Sequence, residues 1–482
     1  MLAYILIFVL GLAPALQSVF DLPLQLALQQ GVLAACLAWL FLRAFGAEGL
    51  PRGMASRRFY PLWAAAALSL LAALFSPFRG WIFNEWGNYG AGILIFYFAS
   101  FMDARERDKV QRAVLWGAWL LFALCLLQAF ALGNFQTHPP LTNLNALALY
   151  AVMIMPAALE RKAWPLAAAM LVLVIWTQSV GAALALLAAA GFYAVSRRGG
   201  RLKENGLLLA GLAVLAAGLL YLLQADSVAG RITWWRVAWR MFSARPLAGF
   251  GHAAFTWAQA GFQPSGAFRE HSIYAHNYYL EFLAENGLPA AAAWFWLLFS
   301  AVRSRSGLVK YGLIAALAHS MVDFGLSVPA DFWLFCWLLS SPAEEAGVFR
   351  PSRRAAAAAL AFALPLCAAL GGLDLRSLAF GRACARAENS AAAGDLGAAE
   401  SYLAPFLRSQ LFREPALEAL VGLSAGDRSG PPGLRQAVYC EEALLENRYA
   451  PAPWTELRKI YSAPGLQKEA SGLDERLREV YR

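Results

Sequence analysis

Residues 269–289 read REHSIYAHNYYLEFLAENGLP, and residues 290–302 continue as AAAAWFWLLFSAV. The second run is apolar enough for lipid; the first is not. From Asn277 the pattern turns helical, with Asn277, Glu281 and Glu285 recurring at every fourth residue as one polar stripe and His276 beside its top. Asn286-Gly287-Leu288-Pro289 is expected to kink or break that helix, because proline has no N–H and clashes with the preceding turn. Ionisable groups in a membrane segment are costly and normally face a cavity or a partner. The stretch therefore predicts a membrane helix whose polar end carries a site.

The rest of the chain agrees about the membrane. Of 482 residues, 60% are hydrophobic and 15% charged, and mean hydropathy is +0.49. Soluble domains carry about a quarter charged residues. Candidate spans of about 20 apolar residues lie near 1–20, 24–44, 60–78, 88–102, 113–133, 141–159, 163–178, 179–196, 206–225, 276–302, 308–326, 328–341 and 355–373. The first is read as a retained span, because no basic region precedes it as in a signal peptide. The expected fold is thus an all-α polytopic membrane protein of about 12–13 transmembrane helices.

Net charge is +9, from 34 Arg and 6 Lys against 31 acidic residues. These charges are scattered between apolar segments rather than gathered into a basic face, which argues against nucleic acid. Cys36, Cys125, Cys336 and Cys367 lie in apolar runs, and no cysteine or histidine spacing suits a metal. Lys and Arg accumulate on cytoplasmic loops. Basic clusters follow every even-numbered span: Arg43 to Arg58, Arg105 to Arg112, Arg161-Lys162, Arg197 to Lys203, Arg303-Arg305 and Arg350 to Arg354. This puts the N-terminus inside and the loop 226–275 outside. That loop breaks the rule, with Arg231, Arg236, Arg240, Arg245 and Arg269 against Asp226 and Glu270.

Within it, RITWWRVAWRMF (231–242) is helical. Trp235, Trp239 and Phe242 share one face and Arg236 and Arg240 the adjacent one, a pattern that also suits a simple interfacial anchor. RPLAGFGH (245–252) ends the helix. Arginine forks match the oxygens of a diphosphate, and an imidazole at the membrane surface can take a proton from an alcohol. Together they suit attack by a hydroxyl on a lipid-linked diphospho-sugar, with the leaving charge stabilised by arginine and without a metal or cofactor. The assigned roles are His276 as base, and Arg231, Arg236, Arg240, Arg269, Asn277 and Glu281 as substrate-binding residues.

Beyond 373 the composition becomes polar and helix-prone, as in AAAGDLGAAESYLAPFL (391–407) and NRYAPAPWTELRKIYSAPG (447–465). The second segment resembles a tetratricopeptide-type unit. The expected organisation is a transmembrane domain over 1–373 and a small helical domain over 374–482 on the outer side, where Cys384 and Cys440 either pair or remain free.

The pattern Gly230-Arg231, Trp235, Pro246, Gly249-Phe250-Gly251, then His276-Asn277 and Glu285-Asn286-Gly287, resembles the O-antigen ligase/polymerase (WaaL and Wzy) superfamily. LTNLNALALYAVMIMP (141–156) and ALAHSMVDFGLSVPADFWLFCWLL (316–339) support it, and the likeness covers roughly 60–341. The resemblance implies a glycosyltransferase of GT-C-like fold in the bacterial inner membrane. It implies inverting transfer of glycan from undecaprenyl diphosphate to a hydroxyl at the periplasmic face, with His276 in the family's histidine position and Arg231 opening its loop motif. Three sub-functions fit: ligation to lipid A-core, polymerisation of repeat units, and O-glycosylation of protein. One departure is Val180 in TQSVGAALAL (177–186), where the family often has arginine. A transporter of lipid-linked glycans is the rival from another class, but the pseudo-repeats it requires are not seen. A non-catalytic scaffold gives no reason for the polar stripe. His319 and Asp323, four apart, are expected on one face of a span. His138 and His252 are expected to be ordinary outer-loop residues, and His271, five residues before His276, could assist it but has no spacing argument.

Overall fold

A computed structural model of the chain describes residues 2–16, 21–131, 133, 143–197, 225–263, 272–343, 347–426 and 433–481. Arg269, His271, His138 and the span expected at 206–225 (to residue 224) lie outside them. The helices are α1 (Leu2–Leu12), α2 (Leu22–Phe45), α3 (Tyr60–Leu74), α4 (Arg79–Ala99), α5 (Ala104–Leu126), α6 (Leu144–Glu160), α7 (Trp164–Thr177), α8 (Val180–Arg197), α9 (Ala225–Ala244), α10 (Tyr278–Ser304), α11 (Val309–His319), α12 (Pro329–Leu339) and α13 (Arg353–Ala392), followed by α14 (Leu396–Leu407), α15 (Arg413–Leu423), α16 (Leu434–Glu446), α17 (Pro451–Tyr461) and α18 (Gln467–Val480). The protein is an all-α polytopic membrane protein. Among the described residues, four helices are long and apolar enough to cross a membrane: Leu22–Phe45, Ala104–Ala131, Tyr278–Ser304 and Arg353–Ala392. Shorter apolar helices pack between them, α6 and α12 being almost wholly buried.

Capping explains several starts. Asp21, Asp103, Asn143 and Asn277 each offer a side-chain oxygen to a backbone N–H in the first turn of the helix that follows. One large apolar core joins α1 to α8 with α10, α11 and α12. A second, smaller core gathers Phe78, Ile82, Val237, Met241, Phe250, Phe255 and Phe262, and so binds the loop and α9 to the start of α4.

One expectation needs correction. The span placed at 308–326 stops at His319, where the chain turns through Met321 N–H to Ala318 and Val322 N–H to His319 hydrogen bonds. His319 and Asp323 therefore do not share a helical face. The composition changes at residue 374, but the backbone does not: α13 runs unbroken for 40 residues, about 60 Å at a rise of about 1.5 Å per residue. Its first part is exposed alanine-rich apolar surface and its last part belongs to the C-terminal helices. A two-residue antiparallel ladder, Leu50–Pro51 against Val348–Phe349, ties the α2–α3 connection to the approach to α13.

In the C-terminal part each helix packs on the next. Cys384 and Cys440 sit against separate apolar clusters and are free thiols. Trp81 packs against both the loop core and the α13–α15 cluster, while Tyr449 and Tyr481 reach the rings of Phe250 and Phe262. The C-terminal helices are thereby seated on the loop.

Candidate active site

The site is built around the break in α10. Pro289 supplies no N–H, and Leu288 donates its own to Pro246 rather than one turn back. The carbonyls of Ala284 and Glu285 are left over, and in a membrane such groups must find partners. Phe250 donates to Ala284 at 3.1 Å and Gly251 to Glu285 at 2.6 Å. Gly287 turns the chain at φ 75°. A Cβ on Gly249 would lie 2.2 Å from the Glu285 carbonyl oxygen, and one on Gly251 would lie 2.1 Å from Ile82. Only glycine admits so close an approach, which gives Gly249-Phe250-Gly251 its physical meaning. Ser69 from α3 donates to the Asn286 side chain at 2.7 Å and completes the joint.

At the other end, Asn277 caps α10 through Leu280 N–H (3.0 Å) and donates Nδ2 to the Met321 carbonyl (2.9 Å). Tyr278 N–H donates to the Ser320 carbonyl. The turn after α11 is thereby fixed against the start of α10. Between them His276 takes a left-handed φ of 52°, uncommon for a residue with a Cβ. Trp235 Nε1 holds its carbonyl at 3.2 Å, Trp234 stacks on the imidazole at 4.8 Å, and Phe324 meets it edge-on at 4.8 Å. The aromatic residues of α9 thus clamp the ring. Its buried face is Trp234, Val237, Ala238 and Met241, while Trp239, expected beside Trp235, is exposed.

Asp323, in the turn, faces both candidate catalytic groups. Its carboxylate is 3.6 Å from His276 Nδ1 and 3.5 Å from Arg231 Nη2, and it is 2% exposed. It also accepts Phe324 N–H at 2.8 Å. Arg231 Nε and His276 Nδ1 are buried with no hydrogen-bond partner among the described residues. His319 lies buried nearby, close to Gly181 at the start of α8. The position of Val180 is thus next to this cluster.

The structure brings Arg231, His276 and Asp323 together but places Arg236 and Arg240 elsewhere. Arg240, nine residues along the helix, is about 13.5 Å away along its axis and donates to the Phe262 carbonyl. Arg236 is exposed. Glu281 is taken up by other contacts: it accepts Ala275 N–H and Ser327 Oγ, both at 2.6 Å.

Residues 165–295 match the O-antigen ligase family model, Wzy_C. That match supports the O-antigen ligase/polymerase superfamily, and it takes in α7, α8, α9, the loop and the His276 end of α10. It ends before Asp323 and does not extend to the C-terminal helices. No curated protein matches the chain.

Two residues were misjudged from sequence. His252, expected at the surface, is half-buried beside the ring of Tyr89 and 3.9 Å from the Glu285 carboxylate, and its desolvation pulls its pKa down to about 4. Asp323 looked like a helical neighbour of His319; the breaker-rich run Gly325 to Pro329 was the available sign that the helix ended earlier.

Proposed function

We propose that the protein transfers a glycan from a polyprenyl-diphosphate carrier to a hydroxyl acceptor at the outer face of a bacterial inner membrane. The observation that carries this reading is the contact of His276, Asp323 and Arg231 at the end of a membrane helix. Asp323 orients the imidazole through Nδ1–H, leaving Nε2 as the proton acceptor. In an unliganded site such contacts are long and tighten on binding. The acceptor O–H gives its proton to Nε2, and its oxygen bonds to the anomeric carbon from the face opposite the diphosphate. The carbon–oxygen bond to the diphosphate breaks with its electron pair, and the configuration inverts. Arg231 receives the leaving charge, with Arg236 and Arg269 as further contacts for the diphosphate and Arg240 as the anchor of the loop. Asn277 holds the register of the turn that carries Asp323.

The test is reconstitution of the full chain in lipid nanodiscs with a polyprenyl-diphosphate glycan and candidate acceptors, with product scored by mass. His276→Ala is expected to keep donor binding and folding while losing about 10²–10⁴-fold in transfer. Parental transfer by that variant removes the histidine from the chemistry.

A further inference from the structure

Two tyrosines of the C-terminal helices seat on one buried residue of the loop, Phe262. Tyr481, just past α18, meets its ring edge-on at 5.2 Å. Tyr449, between α16 and α17, stacks on it at 6.3 Å. The two tyrosines are joined, because the Tyr481 hydroxyl donates to the Tyr449 carbonyl at 2.8 Å. The fit against the loop is close: a Cβ on Gly261 would lie 2.3 Å from the Tyr481 ring.

Phe262 is in turn tied to α9. Its carbonyl accepts Arg240 Nη1 at 3.2 Å, and the turn Gln259–Phe262 packs against that helix. Arg240 lies on α9 about 9 Å along the axis from Trp234, six residues away. Trp234, Tyr449 and Tyr481 all pack on the same small core. Trp234 stacks on the His276 imidazole, and Trp235 Nε1 holds the His276 carbonyl. The left-handed φ of His276, 52°, gives those contacts work to do. Such a conformation persists only where the surroundings over-determine it.

We infer that Tyr481, backed by Tyr449, is a positioning residue for glycan transfer: it fixes Phe262 and so the seat of α9, the helix whose tryptophans hold His276. The C-terminal helices thereby set the geometry of the base by acting through the loop. The inference rests on the transfer reading for its effect on rate; the hold on His276 does not. The imidazole is 18% exposed, so its release from the tryptophans is measurable as reactivity.

Two readouts are taken on the full chain in nanodiscs: single-turnover transfer, and the rate at which diethyl pyrocarbonate modifies His276, scored by peptide mass. Tyr481→Ala is expected to slow transfer about ten- to a hundredfold, the scale of a small misplacement at the reacting groups, while donor binding holds and His276 is modified several-fold faster. Tyr481→Phe keeps the ring and should stay within about threefold of the parent in both. Gly261→Ala displaces the ring from the loop side and should reproduce the effects of Tyr481→Ala, and the double variant should add nothing further. Where Tyr481→Ala does not fold, Tyr481→Leu, which keeps apolar volume and loses the ring, carries the same expectation. Modification of His276 at the parental rate in the folded variant overturns the proposal, as does a loss of transfer that only tracks the folded fraction. If the parent transfers no glycan but Tyr481→Ala still exposes His276, the proposed function fails and the hold on the histidine stands. If the parent transfers glycan and Tyr481→Ala transfers it equally well, the positioning role fails alone.

Discussion

Asp323→Asn isolates the charge that joins His276 to Arg231. The substitution keeps an oxygen for Phe324 N–H, the hydrogen bond seen at 2.8 Å, and changes almost no volume. It removes the negative charge that lies 3.6 Å from His276 and 3.5 Å from Arg231. At 3.6 Å and an effective dielectric of about 20, one charge pair corresponds to about 4–5 kcal/mol. In the transition state the imidazolium forms beside Asp323, but Arg231 already neutralises part of that carboxylate. Roughly half of the pair energy, about 2–2.5 kcal/mol, remains as differential stabilisation. That corresponds to a fall of about 30- to 70-fold in the rate of glycan transfer. Single-turnover transfer in nanodiscs measures it, with donor binding and thermal stability as controls. In a double-mutant cycle with Arg231→Gln the losses should be strongly non-additive, because both residues act on one carboxylate. Transfer by Asp323→Asn within threefold of the parent, or strict additivity with Arg231→Gln, would refute the orienting role.

Gly287→Ala should lower thermal stability by about 1–3 kcal/mol, because its φ is 75° and a Cβ would stand 2.3 Å from the Leu247 carbonyl oxygen; the exposed neighbour Leu288→Ala is the control in a melting assay. Among the arginines, Arg231→Lys should reduce transfer far more than Arg240→Lys, since only Arg231 meets Asp323; equal losses would point to a bulk charge effect. In the C-terminal helices, burial pushes Glu418 up to about 7 and Glu414 well above its usual range. A raised carboxyl binds its proton more tightly when folded, so its contribution is complete below the unfolded pKa, about 4.5, and declines as pH rises through about 7; Glu418→Gln should flatten that slope in a melting series across pH. Cysteines placed in 233–262 and in 396–461 should react with an impermeant reagent in spheroplasts while one in 197–204 stays silent; the reverse pattern would invert the sidedness.

The fold class was legible because apolar length is a one-dimensional property: composition and span length are enough to read it. The break at Gly287-Leu288-Pro289 and the cap at Asn277 were legible for the same reason, since both act within one turn. His276 and Arg231 stood out because each violates a local rule, polarity in a membrane segment and positive charge on the outer side. The contacts of Asp323 were hidden. Its partners come from residues 231 and 276, and nothing within four residues of it signals them. His252 was misread because sequence shows a polar residue between glycines, not the rings of Tyr89 and Phe282 that enclose it. The continuity of α13 across residue 374 was not legible, because polarity marks where lipid ends, whereas a helix continues as long as its own hydrogen bonds do.

The joint between the glycine loop and α10 also constrains how the protein is made. A helix leaving the translocon normally closes its own hydrogen bonds before meeting lipid. Here the carbonyls of Ala284 and Glu285 have no donor within the helix, and their donors, Phe250 and Gly251, lie on a segment synthesised about 30 residues earlier. Until that segment folds back, this end of α10 has no stable depth in the bilayer. The loop that carries Phe250 and Gly251 must therefore wait, unpaired, for the helix that completes it. Maturation of the site is then a late event in biogenesis, and the nascent chain passes through a stage in which the membrane helices are threaded but His276 is not yet placed.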